Sequence, residues 1–288
     1  MRLGPIAILA ASWLAFTPAR ADPPVWVVRD ADTEMVLFGS IHALPPGIEW
    51  RTARLDAALE AADLVAFEIL TPETEEEETA MFLPFLPYLI ADRPLSEVVT
   101  PETFARALAA ARAQDLDVLA LQMMKPWVAA LMLDMGADEA LGRQDDLGVD
   151  TVLEQSLAEG RRKEALDTPE LLRASMQALS DMGDVEGEAL LVEVLDSLDR
   201  EELDVEIETA WAAGDIGPVI DEMRTMQAEA PRLYQALLVD RNHAWMPALT
   251  RMMESEGRVV VVAGAAHMVG EDGLPTLLRA AGYEVEGP

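Results

Sequence analysis

The sequence predicts an α/β (α+β) fold, with a mixed central sheet built from N- and C-terminal strands and a large, mostly helical insertion between them. Three observations carry this expectation. First, β-type runs lie near the two ends of the chain: VWVVR (25–29), MVLFGS (35–40), LVAFEI (64–69), RVVVVAG (258–264) and a short run near YEVE (283–286). Second, residues from about 100 to 255 show almost no strand signal. Gly136, Gly142, Gly148, Gly160, Gly183 and Gly214 divide this stretch into acidic amphipathic helices. Third, the valine run 259–262 lacks polar alternation, as expected of a strand covered on both faces.

Taken in order, residues 1–21 (MRLGPIAILAASWLAFTPARA) read as a secretory signal peptide. Arg2 gives a basic start, the apolar part is too short to span a bilayer, and Ala19-Arg20-Ala21 is a small-residue cleavage signal. The expected location is the periplasm or the outside of the cell, with no stable membrane insertion after cleavage. Residues 22–288 are expected to form one domain. Asp30-Ala31-Asp32-Thr33-Glu34 has turn chemistry, so the first two strands form a hairpin. Leu55, Ala58, Leu59 and Ala62 recur at helical spacing, and predict a helix over about 51–62 before the third strand. Glu75 to Glu78 suit a solvated loop or helix start. MFLPFLPYLI (81–90), broken by Pro84 and Pro87, is expected to pack into the core as a short helical segment; a hydrophobic lid or a partner-contact patch is the alternative. Thr100 and Pro101 open the insertion with a cap and a first-turn proline. The late strand is followed by a helix over 273–282.

Composition narrows the function classes. With 53 acidic against 21 basic residues the formal net charge is −32, which repels nucleic acid and anionic membrane surfaces. There is no cysteine, so an exported chain of this kind is held by packing alone. No G-x-G-x-x-G, P-loop, G-x-S-x-G or H-E-x-x-H motif is present, which argues against several common enzyme classes. The fifteen methionines read as core filling.

Ligand sites in open α/β sheets favour the carboxyl ends of strands. Two strands here end in the same pattern, Gly39-Ser40-Ile41-His42 and Gly264-Ala265-Ala266-His267, and a third ends at Glu68. Either G-x-x-H alone is short enough to be an ordinary loop histidine. Its repetition at two strand ends, in a chain with three histidines, points to a shared His/Glu/His site. Such a set suits two chemistries. It can hold a divalent metal (manganese, cobalt or zinc) with an open position for water. It can also work without metal, with His42 as a general base on water.

These residues are part of a longer likeness. The chain resembles the TraB/GumN family, related to Tiki-type metalloproteases and more distantly to erythromycin esterases and haem-binding ChaN-like proteins. The similarity runs through LFGSIHALP (37–45), LDAALEAADLVAFE (55–68), KPW (125–127), LGVD (147–150), KEALDTPE (163–170), WAAGD (211–215), DRNHAWMPAL (240–249) and VVVVAGAAHMVGEDGLPTLLRAAGYEV (259–285). It implies a mixed α/β core with a helical insertion, with His42, Glu68 and His267 lining one site. From the Tiki-like members it implies metal-dependent peptide cleavage, with His42, Glu68 and His267 as metal ligands. It also matches the family's Arg-Asn pair to Arg241 and Asn242, both expected to bind substrate; Arg241 suits an anion or carbonyl clamp, or equally a salt bridge on this very acidic chain. Neighbours on a helix point about 100° apart, so both reach one site only if the helix approaches it end-on or side-on. Ser40 stands where threonine is common and keeps a hydroxyl for substrate; Asp167 stands where glutamate is frequent. His243 is expected on a helix surface, and Asp150 as a helix cap.

The leading expectation is an exported metal-dependent hydrolase of peptide or small amide and ester substrates, with catalytic residues His42, Glu68, His267 and Arg241. The alternatives are a metal-free esterase-like hydrolase using His42, and a non-catalytic protein that binds haem, metal or a polysaccharide-pathway partner.

Overall fold

The valine run forms the middle of a six-stranded sheet. A computed structural model describes residues 22–72, 74–200, 206–255 and 257–288; the expected signal peptide, 1–21, lies outside them. The strands are β1 (Val25–Arg29), β2 (Glu34–Ser40), β3 (Leu64–Phe67), β4 (Lys163–Ala165), β5 (Arg258–Gly264) and β6 (Glu284–Glu286), in the order β4-β3-β5-β2-β1-β6. β4, β3, β5 and β2 run parallel, and β1 is antiparallel to both β2 and β6. The expected hairpin, the mixed sheet and its assembly from the two ends of the chain are all present. The register places Phe38, Val262 and Phe67 side by side, so β2, β5 and β3 reach their carboxyl ends together.

Both faces of β5 are covered, which is why its sequence does not alternate. Val260 and Val262 pack with Phe38, Val65, Phe67, Trp50 and Trp211 on one face. Val259, Val261 and Ala263 pack with Met35, Leu37, Leu64, Ala66 and Trp245 on the other. Each valine so buried contributes about 2 kcal/mol. The insertion has its own apolar core, in which Ala107, Ala111, Leu121, Ala129, Leu133, Leu191 and Leu195 draw the helices Pro101–Ala113, Pro126–Ala140 and Gly183–Arg200 together. Threonine side chains cap several helices, as at Thr52, Thr100 and Thr168, each accepting from a backbone N–H three residues on. Among the described residues no helix is long and apolar enough to cross a membrane.

Three expectations change. The insertion contains a strand, β4, which pairs Lys163, Glu164 and Ala165 with Val65, Ala66 and Phe67. It is short, charged and at the sheet edge, and so carries no hydrophobic run to announce it. Gly136 does not break the chain: it lies inside the helix Pro126–Ala140, where a Cβ would strike the Gln114 side chain. The 81–90 segment is not core. Its prolines split it into turns too short to bury a face, and Phe82 and Leu83 remain 55% and 59% exposed. The run Glu75–Glu78 does start a helix, capped by Thr74.

Candidate functional site

At the carboxyl edge of the sheet, Gly264 is the floor. A Cβ on it would lie 3.2 Å from Glu68 Oε1, 3.3 Å from His42 Nε2 and 3.6 Å from His267 Cδ2. The glycine of the second G-x-x-H motif therefore leaves the space in which all three side chains meet. The Gly264 amide donates to Glu68 Oε1 at 2.5 Å. The same oxygen is 3.8 Å from His42 Nε2 and 3.6 Å from His267 Nε2. The expected convergence of His42, Glu68 and His267 is thus present in the structure.

The two imidazoles are held in opposite ways. His267 is buried in the turn after β5. Asn242 fixes its tautomer: the Asn242 amide donates to Asp272 O (2.8 Å) and His267 O (3.4 Å), so its oxygen accepts from His267 Nδ1–H at 2.7 Å. That leaves Nε2 as an acceptor, and Arg241 Nη1 donates to it at 3.3 Å. The adjacent residues Arg241 and Asn242 grip the two nitrogens of one ring. Helical neighbours about 100° apart do this because the helix Asp240–Ser255 meets the ring side-on, after a π-helical turn over Gln235–Val239. Burial holds His267 neutral, down to about 4, against the pull of Glu68.

His42 is the exposed partner, with 61% of its side chain accessible. Its Nδ1 lies 3.0 Å from Asp150 Oδ1. This hydrogen bond raises the imidazole to about 9, against desolvation and with help from Glu68. Asp150 is therefore not the helix cap expected of it; Gly148 holds the cap position of Val149–Ser156. The loop reaches His42 because Gly148 lacks a side chain, since a Cβ there would lie 2.0 Å from His42 O. Val149 N–H donates to Ile41 O, and Leu44 pairs with Gln144 through two backbone bonds.

Arg241 ties the carboxylates together. It donates to Glu68 Oε2, to Asp167 Oδ2 at 2.8 Å and to Asp167 Oδ1 at 3.3 Å. Asp167 is fully buried and also accepts from Trp245 Nε1 at 2.8 Å. β4 delivers Asp167 alongside Glu68, whose carbonyl accepts from the Asp167 amide. Trp245, one turn after Arg241, lies under the guanidinium at 4.8 Å and against the His267 ring at 4.5 Å. Burial works against charge on Glu68, but the neighbouring His267, Arg241 and His42 and the Gly264 amide overcome it and hold the carboxyl at about 2. At neutral pH His267 is uncharged, so Arg241 and His42 supply the positive charge.

Residue by residue, His42, Glu68 and Arg241 line a cavity of about 330 Å3, joined there by Asp150. His267 and Asn242 do not line it: Asn242, expected to bind substrate, is buried and bonded to His267 and Asp272 instead. Ser40 does not line the cavity; it is buried, and its hydroxyl has no hydrogen-bond partner among the described residues. His243 is on the helix surface as expected, 57% exposed. Sequence reading undervalued Asp150 and missed Trp245, although its spacing of four from Arg241 puts both on one helix face.

The donor set does not fit a divalent metal as placed. Among the described residues no three His, Asp or Glu side chains are arranged to hold one. Arg241 occupies Glu68 Oε2 and faces His267 Nε2, where a cation ligated by both would meet a permanent positive charge.

A family model described as TraB/PrgY/gumN matches residues 24–287, nearly the whole chain. The chain belongs to the TraB/PrgY/gumN family. No curated protein and no solved structure matches it. The family match spans both G-x-x-H motifs, Glu68, Asp150, Asp167 and the Arg241-Asn242 pair, so the whole of this TraB/PrgY/gumN site lies within it.

Proposed function

We propose that this family member is an exported, metal-independent hydrolase that cleaves an ester or amide, with His42 passing the proton between water and the leaving group. One observation carries the reading. The exposed imidazole is oriented through Nδ1 by Asp150 and turns Nε2 toward the cavity shared with Glu68 and Arg241. A base held by a carboxylate beside a permanent cation is a hydrolytic arrangement. Neutral His42 takes a proton from water at Nε2 as the water oxygen bonds to the substrate carbonyl carbon. Negative charge gathers on the carbonyl oxygen, beside Arg241 in a largely apolar cavity. The intermediate then expels an alkoxide or amine, which takes the proton from His42. Glu68 steadies Arg241 and the imidazolium. Export rests on the leader pattern of residues 1–21.

Purified protein assayed with a panel of esters and amides tests this. Turnover is expected to survive a chelator and to fall by about 10² to 10⁴ in His42→Ala. Activity that chelator abolishes and manganese, cobalt or zinc restores would favour the metal-dependent reading instead. Tight haem binding with no turnover on any substrate points to a binding protein.

A further inference from the structure

The cavity at the site has two kinds of lining. His42, Glu68, Asp150 and Arg241 are its polar part. Phe67, Ile69, Leu172, Met176, Leu237 and Val262 are its apolar part. A hydroxyl interrupts this wall at Ser175, but it already donates to Ala236 O at 3.1 Å inside the protein. The wall is also firmly backed. Phe67 and Val262 are sheet residues buried at the register row below the site. Met176 and Leu237 pack from the insertion against the cluster of Trp127, Val128, Leu179, Leu233 and Ala236. A preformed pocket that is mostly apolar, with a few polar groups converging in it, holds a ligand by shape against the apolar lining and orients it by charge or hydrogen bonding.

We propose that the site selects carbonyl substrates whose acyl side carries an uncharged apolar group, such as a straight chain of several carbons, seated against Phe67, Leu172, Met176 and Leu237. This rests on the hydrolase reading above. With the carbonyl at Arg241 and within reach of His42, the acyl group is left to the apolar part of the lining. A charged or strongly polar acyl group would lose its hydration there without a partner. An anionic one would also have to enter the field of a chain with net charge −32. The volume of about 330 Å3 limits how much of the chain can be buried.

The test is a series of p-nitrophenyl esters from acetyl through butyryl, hexanoyl and octanoyl to dodecanoyl, with the anionic succinyl ester beside butyryl. We expect kcat/KM to rise about fourfold per buried methylene and then level off as the chain outgrows the cavity. The succinyl ester is expected to fall well below the butyryl ester. In Met176→Trp, which fills space along the apolar lining, the hexanoyl-to-acetyl preference is expected to collapse toward one. Calorimetric titration with hexanamide and acetamide reads the same wall without turnover. A flat ester series, or succinyl matching butyryl, overturns the inference and leaves the hydrolase reading standing. No turnover on any ester, with hexanamide bound more tightly than acetamide, overturns the hydrolase reading and leaves the apolar site. Equal binding of the two amides overturns the inference whatever Met176→Trp does.

Discussion

Arg241 serves two buried carboxylates with a single charge, and this asymmetry makes it the most sensitive residue of the site. Removing one partner of a buried pair costs more than the pair itself contributes, because the remaining charge is stranded without water. In Arg241→Met, both Glu68 and Asp167 are stranded. We expect a loss of about 3–5 kcal/mol in urea unfolding, part of which returns in the double variant Arg241→Met/Glu68→Gln, since the two sites are in contact. Unchanged stability in the single variant would contradict the pairing. Asp150 acts on His42 alone, and its effect is read by pH. The Asp150 hydrogen bond lifts the imidazole from its ordinary 6.5 to about 9, so the neutral, proton-accepting form grows as pH rises toward 9. The pH–rate profile of the wild type is therefore expected to climb and level near 9. Asp150→Asn keeps an acceptor oxygen but removes the charge. Its profile should level at lower pH, nearer 6.5, with a lower plateau because the ring is less firmly oriented. A profile that does not move would rule out Asp150 as the partner that sets the protonation of His42.

Among the elements, the loop from Gly142 to Val149 decides whether Asp150 arrives. Its glycine contact against His42 O is closer than any Cβ tolerates. Gly148→Ala must push the two loops apart, at a cost of about 1–3 kcal/mol. It should also shift the pH–rate profile in the same direction as Asp150→Asn, because the carboxylate moves with the loop. Thermal melts and the profile together separate this from simple destabilisation, which lowers the melting point and leaves the profile in place. Arg143 anchors the same loop from behind: it is half-buried, donates to Asp138 Oδ1 at 2.7 Å and to Glu208 Oε1, and so ties the loop to two insertion helices. The contrast with what the sequence made legible is physical. His42, Glu68 and His267 were readable because strand ends in a parallel sheet share one edge, so three distant positions had one address. Asp150 was not, and Asp167 was legible only through the family likeness, because nothing local to residues 150 or 167 says which strand end they reach. Their positions depend on the packing of the insertion and on a three-residue edge strand with no apolar run. The 81–90 segment was misread because apolar composition predicts burial only when the helix is long enough to lay down a face, and Pro84 and Pro87 prevent that.

Across the whole molecule, charge is the dominant imbalance. The chain carries 53 acidic and 21 basic side chains, with a net charge of −32. Among the described residues, most arginines already answer nearby carboxylates. Arg106 binds both Asp196 and Asp199, and Arg29 binds both Glu34 and Glu286. The surplus acid therefore repels itself across the surface, and folding brings it closer than the unfolded chain does. Salt relieves this at separations beyond the Debye length, about 10 Å at 0.1 M, while buried networks such as Arg241 with Glu68 and Asp167 are screened far less. The melting temperature is therefore expected to rise by several degrees between about 10 mM and about 300 mM sodium chloride. Potassium chloride and choline chloride should give the same rise, because screening depends on ionic strength and not on the identity of the cation. A rise produced by one cation alone would mean a specific binding site in place of general repulsion. The same field bears on substrate choice: lowering the salt should further depress turnover of an anionic succinyl ester relative to the neutral butyryl ester, since only the former is repelled on approach.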